Sequence, residues 1–203
     1  MKTRPTVVVL AGGSSTRFEG PGHKLEQPFG HDTVLGCTLA NALACGLPAI
    51  VVTTARLLAL CTRTLARRDV VVLSDAEARR GVGFTIARGV SERPAASGWL
   101  VLPGDMPLVR PASMAAVAAA LSEHPVAFSQ YRGWRGHPVG FAAELYSELV
   151  ALDGDEGARR LVARYPSFAV DVDDPGVRID IDTQAALAAA REQLAEGAPL
   201  RRA

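Results

Sequence analysis

The sequence predicts an α/β fold, a mostly parallel sheet with helices on both of its faces. Its apolar runs are short, continuous and rich in β-branched residues, and stretches of helical periodicity separate them. Continuous apolar runs, unlike alternating ones, indicate strands that are covered on both faces of the sheet. Strands that alternate with helices are typical of parallel pairing through right-handed crossovers.

Five buried strands are predicted in the first two thirds of the chain. Gly12 and Gly13 follow the first strand, and Pro103 and Gly104 stop the fourth. Glycine and proline commonly mark such turns. The predicted strands cover residues 6–11, 49–53, 70–73, 99–102 and 126–129.

Helical patterns lie between and after these strands. Gly46 and Pro48 end the first helix, Pro111 stands near the start of the fourth, and Thr183 is a suitable N-cap for the last. The predicted helices cover residues 33–45, 57–66, 84–90, 113–121 and 183–194.

Residues 130–182 interrupt this alternation. Glycine and proline between positions 133 and 140 predict a loop or a hairpin. Beyond it we expect helices at 142–151 and 157–164 and strands at 169–172 and 178–181. Because no linker or charge run separates this region, we predict a single domain over 1–203, with a core at about 5–195 and a flexible C-terminal tail.

The composition excludes several classes of protein. Of 203 residues 48% are hydrophobic, too many for a disordered chain, and 22 basic against 21 acidic residues leave a net charge of +1. We therefore expect neither nucleic acid nor a membrane as a partner. Residues 7–11, the longest early apolar run, are too short for a membrane span or a signal-peptide core. The 3 cysteines form no C-x-x-C, which suits reduced thiols and a cytoplasmic location.

The first candidate site follows the first strand directly. It reads Leu-Ala-Gly-Gly-Ser-Ser-Thr-Arg at 10–17, with Lys24 close behind. Two glycines allow the backbone to present N–H groups to an anion, and Arg17 and Lys24 can bind phosphate oxygens. The motif is neither a P-loop nor G-x-G-x-x-G. A surface turn with solvated side chains is the alternative interpretation.

Acidic residues supply two further candidates. Asp105 follows the fourth strand, where a carboxylate can hold Mg²⁺ or simply cap a turn. Asp180 and Asp182 point the same way if residues 178–181 form a regular strand, and such a pair favours a cation. The alternative is an exposed face on which Asp182 complements a helix dipole.

Glycines surround His137 and suggest the close approach of a ligand or of another backbone segment. A lone histidine is nevertheless more often structural than catalytic. The acids at 154–159 can simply begin a helix, and Arg79-Arg80 can be a solvated helix end.

Together these motifs resemble the MobA-like nucleotidyltransferase family, most of all its molybdenum-cofactor cytidylyltransferases. They occur in the family's order across about residues 5–195. The motifs are the one at 10–17 with Lys24, Gly-Val-Gly-Phe-Thr-Ile at 81–86, Leu-Pro-Gly-Asp-Met-Pro-Leu-Val at 102–109, Gly-His-Pro-Val at 136–139, Gly-Asp-Glu-Gly-Ala-Arg at 154–159 and Asp-Ile-Asp-Thr at 180–183.

The resemblance implies a Rossmann-like, single-domain nucleotidyltransferase that moves a nucleoside monophosphate from an NTP to an acceptor phosphate and releases pyrophosphate. In the cytidylyltransferase branch, CTP reacts with molybdenum-bound molybdopterin, and the product serves xanthine-dehydrogenase-like hydroxylases. Mg²⁺ is the implied cofactor, and a molybdenum hydroxylase or its maturation factor is an implied protein partner.

The resemblance also implies a role for each matching residue. Arg17, Lys24 and Asp105 are the implied catalytic residues, and His137 would face the acceptor. Nucleotide binding would fall to Leu10, Ala11, Gly12, Gly13, Arg17, Lys24, Gly81 and Thr85, and metal binding to Asp105 with Asp182 or Asp180.

Two departures from the family's pattern add negative charge near the expected triphosphate site. The usual Arg-Met-Gly is Arg17-Phe18-Glu19-Gly20 here, and Lys-Leu-Leu is Lys24-Leu25-Glu26. The alternatives are a guanylyltransferase that uses GTP, the same chemistry on a sugar phosphate or another phosphate ester, and a non-catalytic nucleotide-binding module. A dinucleotide-dependent oxidoreductase is a further alternative, but the chain lacks the G-x-G-x-x-G motif that is typical of that class.

Overall fold

A computed structural model describes residues 3–13, 15 and 18–197 of the chain. It has the predicted α/β architecture, with a seven-stranded sheet and a two-stranded ribbon. Three of the five buried strands extend beyond their predicted ends, by one or two residues at each extended end. The strands are β1 (Thr6–Ala11), β2 (Pro28–Phe29), β3 (Asp32–Thr33), β4 (Ala49–Thr54), β5 (Val70–Leu73), β6 (Gly98–Pro103), β7 (Val126–Tyr131), β8 (Trp134–Ala142) and β9 (Ser167–Asp171).

The large sheet has the strand order β5-β4-β1-β6-β8-β7-β9. Every pair is parallel except the two that involve β8, which runs antiparallel to β6 and to β7. The segment at 133–140, predicted as a loop or hairpin, is therefore part of the β7–β8 hairpin, and most of it is strand β8. β1 lies in the middle of the parallel half, so the residues after it meet the loops that follow β4 and β6.

The helices agree with the predicted positions but not always with the predicted lengths. The helix predicted at 57–66 shrinks to four residues, 58–61, and the Thr62 hydroxyl just beyond them donates to the carbonyls of Leu58 and Ala59. A short helix at 75–78 was not predicted. The helices are α1 (Val34–Ala44), α2 (Leu58–Cys61), α3 (Asp75–Ala78), α4 (Val82–Ser91), α5 (Pro111–Ala120), α6 (Tyr146–Val150), α7 (Arg159–Arg164) and α8 (Gln184–Gly197).

The predicted N-cap of the last helix is confirmed, whereas most of the predicted tail lies outside the described residues. The Thr183 hydroxyl accepts a hydrogen bond from the Ala186 N–H at 3.1 Å, as expected of an N-cap. Helix α8 continues to Gly197, three residues past its predicted end. The last six residues of the expected tail, 198–203, lie outside the described residues.

The predicted strand at 178–181 is wrong. A 3₁₀ turn, Pro175–Arg178, occupies its start, and the extended residues that follow pair with no strand of the sheet. The turn forms because the buried Asp174 carboxylate accepts from the Gly176 N–H at 3.0 Å. The Ile181 N–H then donates to the Asp105 carbonyl at 3.0 Å, which ties the segment to the loop after β6.

Both faces of the sheet are covered, as the continuous apolar strands predicted. Val7 and Val9 of β1 pack into one buried cluster, together with side chains of α1, α5 and α8. Val8 points the other way, into a second cluster with side chains of α4, α6 and α7. This alternation follows from the pleat of the strand. Within the described residues, no helix is long and apolar enough to cross a membrane.

Candidate active site

The carboxyl ends of β1, β4 and β6 surround a cavity of about 760 Å³, which we call the larger cavity. Open α/β sheets commonly bind ligands at this edge. The structure brings most of the predicted site residues together here. The larger cavity is lined by Leu10, Ala11, Gly12, Gly13, Lys24, Gly81, Thr85 and Asp105, among others.

The floor of the larger cavity is tightly packed around Gly12. A Cβ at this position would lie 3.3 Å from the Leu73 side chain and 3.4 Å from the Thr85 hydroxyl. That hydroxyl donates to the Gly81 carbonyl at 3.1 Å, so it braces the turn that begins α4. Gly81 has a φ of +96°, which favours glycine. Thr85 therefore holds the predicted nucleotide-binding turn at Gly81 in place through this hydrogen bond.

Lys24 joins two of the predicted acidic residues. Its Nζ donates to Asp105 Oδ2 at 2.5 Å and to Asp182 Oδ1 at 2.6 Å. The two carboxylates and the ammonium group are all largely buried, with side-chain exposures of 13%, 21% and 15%. Of the two candidates near the C-terminus, Asp182 is the one that meets Asp105 through a shared partner.

The loop that carries Asp105 is held by backbone contacts. The Gly104 N–H donates to the Leu10 carbonyl at 2.8 Å, and the buried Thr38 hydroxyl donates to the Gly104 carbonyl at 2.9 Å. The Ile181 N–H completes the set by donating to the Asp105 carbonyl. Asp105 is thus placed by β1, α1 and the segment before α8, three parts that are far apart in sequence.

Asp105 and Asp182 fit a hard divalent cation. Asp105 Oδ1 is buried and accepts no hydrogen bond from the described residues. Buried acceptors normally have a partner, so this oxygen is available to a bound cation. Mg²⁺ typically binds one or two carboxylates together with substrate phosphates. Among the described residues no group of three or more His, Cys, Asp or Glu side chains could hold a metal alone. Asp180 is exposed and does not line the larger cavity.

Charge and burial act in opposite directions on Lys24 and Asp105. Burial alone lowers the pKa of Lys24, but the neighbouring carboxylates of Asp105 and Asp182 outweigh it and leave that pKa raised. For Asp105 the effect of burial has the opposite sign: it raises the pKa, and the nearby Lys24 charge opposes this without cancelling it. We expect Lys24 to be charged at neutral pH, because two carboxylates contact it directly.

His23 belongs to this site although the sequence pattern did not single it out. Its Nδ1 accepts from the Leu25 N–H at 3.2 Å, so Nε2 carries the proton and donates to the Gly13 carbonyl at 3.1 Å. Burial lowers the pKa of His23 and favours this neutral form. His23 thereby connects the glycine turn after β1 to the turn that carries Lys24.

The two acidic departures from the family's pattern are accommodated in different ways. Glu26 accepts from the Arg56 guanidinium at 2.7 Å, and its other contact is the His23 backbone N–H at 3.3 Å. Its charge is therefore balanced by Arg56, which lines the larger cavity, whereas Glu26 itself does not. Glu19 is exposed and does not line the larger cavity.

A second cavity of about 570 Å³, the smaller cavity, lies beside the first. His137 lines it, as do Arg135, Glu156 and Arg159, whereas most of its other lining residues are apolar. Burial lowers the pKa of His137 to about 4, with Arg135 contributing and Asp180 opposing. His137 is therefore neutral at physiological pH, and its imidazole can donate one hydrogen bond and accept another.

The two cavities share a wall. Leu10, Val82, Pro103 and Asp155 line both of them. The segment around Asp155 is docked on α4, because the Gly83 N–H donates to the Gly154 carbonyl at 2.8 Å and the Gly154 N–H to the Arg80 carbonyl at 2.9 Å. Asp155 and Glu156 are both solvent-exposed; Asp155 stands in the shared wall, and Glu156 pairs with Arg160 at the start of α7.

Some predicted and some unpredicted residues remain to be placed. Arg17 lies outside the described residues. The larger cavity is also lined by Arg56, Arg79 and Asp155, which carried no predicted role. Arg79 and Asp155 are charged residues near glycines of the motifs, and that pattern could have indicated a role in binding. Sequence spacing alone does not say which side chains face the cavity.

This arrangement defines the class of protein: a doubly covered α/β sheet with a glycine turn after β1 and two carboxylates that share a lysine beside it, as in nucleotidyltransferases. Residues 7–169 match the MobA-like NTP transferase domain. The chain belongs to this family.

Known proteins support the assignment. Rv0371c from Mycobacterium tuberculosis H37Rv shares 31% identity, with a TM-score of 0.80, over 94% of this chain and 99% of that one. A manganese complex of the same protein shares 28% identity, with a TM-score of 0.77, over 95% and 100% of the two chains. A divalent cation thus accompanies this fold in a close relative.

Two further comparisons are more distant or partial. The purine catabolism protein PucB of Bacillus subtilis (strain 168) is 31% identical over 112 residues, 53% of this chain and 54% of PucB. The match therefore spans about half the length of that relative. The molybdopterin-guanine dinucleotide biosynthesis protein A of Archaeoglobus fulgidus shares 16% identity with a TM-score of 0.66, over 94% and 99% of the chains, which shows the fold alone.

Proposed function

We propose that this nucleotidyltransferase transfers CMP from CTP to the phosphate of molybdenum-bound molybdopterin and releases pyrophosphate, with Mg²⁺ as cofactor. The observation that carries the proposal is the pair of adjoining cavities. One contains the glycine turn, Lys24 and Asp105, and the other contains His137 among apolar side chains. A transfer between two substrates needs two such neighbouring sites, and the rate then depends mainly on positioning and charge neutralisation.

In the larger cavity, the backbone of Ala11, Gly12 and Gly13 would hold the base and the phosphates of CTP. Gly81 supplies the second turn, and Thr85 keeps that turn in place through its hydroxyl. Lys24 and Arg17 would bind phosphate oxygens and balance the charge that develops on the leaving pyrophosphate.

Asp105 and Asp182 would hold Mg²⁺, with Asp180 as the weaker candidate. The buried Oδ1 of Asp105, which accepts no hydrogen bond from the described residues, supports this assignment. The cation, when bound, polarises the α-phosphate. For the protein, the consequence is that Lys24 would share the two carboxylates with a second cation, whose charge would weaken the Lys24 ion pairs.

The smaller cavity suits an acceptor with an apolar or planar body. Its volume of about 570 Å³ and its lining by Ile86, Val101, Val139 and Phe141 favour a ring system over a sugar phosphate, which would need more polar partners. His137 would face this acceptor. The name of PucB places that relative in purine catabolism. Since xanthine is a purine, this supports a product used by xanthine-dehydrogenase-like hydroxylases, with such a hydroxylase or its maturation factor as protein partner.

The test is a pyrophosphate-release assay with Mg²⁺ and each of CTP, GTP, ATP and UTP, with and without molybdenum-bound molybdopterin. We expect release only with CTP and the acceptor together. A preference for GTP would instead identify a guanylyltransferase. NTP binding without release from any pair would point to another acceptor or to a non-catalytic module.

Asp105→Asn is the matching variant for this assay. It keeps the size of the side chain but removes the charge, so turnover should fall at least about 100-fold. Asp75→Asn is the control, because Asp75 lines the same cavity at the start of α3 and does not contact Lys24. Equal turnover of the Asp105 variant and the control would refute the role of Asp105.

A further inference from the structure

Arg135 is a cation without a counter-charge at the rim of the smaller cavity. It lies on β8, two residues before His137, and lines the cavity with it. Its guanidinium stacks 4.4 Å above the Phe128 ring, and it forms no ion pair with any residue in the part of the chain that the structure describes. A stacked guanidinium has a fixed plane but keeps its N–H groups available for a ligand.

The surroundings of Arg135 make an anionic ligand favourable. Arg135 is still accessible to solvent, yet the neighbouring protein atoms partly bury the guanidinium and lower its pKa. A partly desolvated charge is stabilised by an opposite charge. His137, the nearest titratable group on β8, is neutral and cannot supply one.

The other charged groups of the smaller cavity do not supply a counter-charge for Arg135. Glu156 is already paired with Arg160, and Asp155 stands in the wall shared with the larger cavity. Arg159 adds a second positive charge, and it too forms no ion pair within the described residues. Within the described residues, the cavity therefore presents two guanidinium groups without an ion pair against one such carboxylate, next to an apolar body and beside the proposed nucleotide site.

We propose that Arg135 binds the phosphate monoester of the acceptor substrate. This inference rests on the proposed function, because it assigns the smaller cavity to the acceptor. Arg135 would hold two phosphate oxygens and leave the third directed at the α-phosphorus of the nucleotide. That oxygen forms the new P–O bond, the bond from the α-phosphorus to the bridging oxygen breaks, and pyrophosphate leaves with the electron pair. Arg135 transfers no proton.

Calorimetric titration with phenyl phosphate, an aromatic phosphate monoester, tests the assignment without the natural acceptor. The titration is done on the full chain in the presence of Mg²⁺ and α,β-methylene-CTP, which resists transfer. Arg135→Met should weaken phenyl phosphate binding at least about tenfold, since a charge-assisted hydrogen-bond pair is lost. Arg135→Lys should recover part of the affinity, because it restores charge without the bidentate geometry.

Arg132→Met is the matched control. Arg132 lies on the same hairpin and stacks on Tyr131, but it does not line the smaller cavity. This variant should bind phenyl phosphate within about twofold of the wild type. Affinity for the CTP analogue should be unchanged in all variants, and thermal unfolding should confirm that each variant is folded.

Three results would overturn the proposal: phenyl phosphate binding that survives Arg135→Met, equal losses in the Arg132 and Arg135 variants, or no binding to the wild type. A loss of CTP-analogue affinity in Arg135→Met would place Arg135 at the nucleotide instead. Once an acceptor turns over, its KM should rise in Arg135→Met while the KM for CTP stays constant. Failure of CTP or molybdopterin in the pyrophosphate assay would leave the phenyl phosphate result standing, so the two failures are distinguishable.

Discussion

At the scale of single residues, Lys24 is the centre of the candidate site. It stands between Asp105 and Asp182 and supplies the positive charge that two close carboxylates require. A divalent cation held by these two carboxylates would carry charge of the same sign and would weaken the ion pairs of Lys24. Lys24 is thus an internal counter-ion of Asp105 and Asp182, and it would be available to phosphate if a divalent cation took over that role.

Lys24→Met should therefore increase the affinity for Mn²⁺ in the absence of nucleotide. Because the ammonium group then no longer occupies Asp105 and no longer repels a second cation, we expect at least about tenfold tighter binding, measured by electron paramagnetic resonance of free Mn²⁺. Arg56→Met removes a positive charge from the same cavity without touching Asp105 or Asp182, and it should change the Mn²⁺ affinity little. Mn²⁺ binding no tighter than in the wild type would contradict this role of Lys24.

At the scale of elements, the start of α4 and the segment before α7 together build the wall between the cavities. Gly83 allows this contact, because a Cβ at that position would lie 2.6 Å from the Asp153 carbonyl oxygen. Arg80 and Asp153 reinforce it with an ion pair of 2.9 Å. The sequence predicted helices at 84–90 and 157–164, just beyond these two segments, but nothing in the local patterns indicated that the segments touch.

Gly83→Ala should separate these two elements. The added methyl group meets backbone rather than a flexible side chain, so the 153–157 segment must move, at a cost of about 1–3 kcal/mol of unfolding free energy. Because Asp155 lines both cavities, the KM for the nucleotide should rise as well. Ser91→Ala at the other end of α4 is the control for urea unfolding and for kinetics. A Gly83 variant as stable and active as this control would show that the contact is dispensable.

At the scale of the whole molecule, one sheet connects the N-terminal and C-terminal parts of the chain through β6 and β8. Apolar clusters on both faces cross this junction. We therefore propose that the chain unfolds as a single domain, in one cooperative transition. The global stability should also report on His137, whose neutral state is coupled to folding.

The stability should fall as the solution is acidified, and His137 should account for part of the loss. Its pKa is lowered to about 4 in the folded protein, against about 6.5 when unfolded, so the unfolded chain binds the proton first. From about pH 7.5 to about pH 5 this should cost about 2 kcal/mol, seen as a lower midpoint in urea. His137→Gln should lose that much less over the same range. An identical pH dependence in this variant would contradict the assignment, and two separate transitions would contradict the single domain.

Sequence by itself determined the alternation of strands and helices, the covered sheet and the place of the site after β1. These features depend on side-chain periodicity and turn residues that are neighbours in the chain, so a linear reading finds them. The wrong strand at 178–181 shows the limit. There Asp174 bonds the adjacent backbone and Ile181 bonds the loop of Asp105, and these contacts replace the strand that the apolar residues suggested.

Only the tertiary structure decided which distant side chains meet. It brought Asp182 rather than Asp180 to Lys24, used His23 to join two turns, and set Asp155 in a wall between two cavities. Such encounters depend on how the loops at the ends of the parallel strands fold over one sheet edge. That geometry is set by packing across the whole molecule, and no local pattern of residues encodes it.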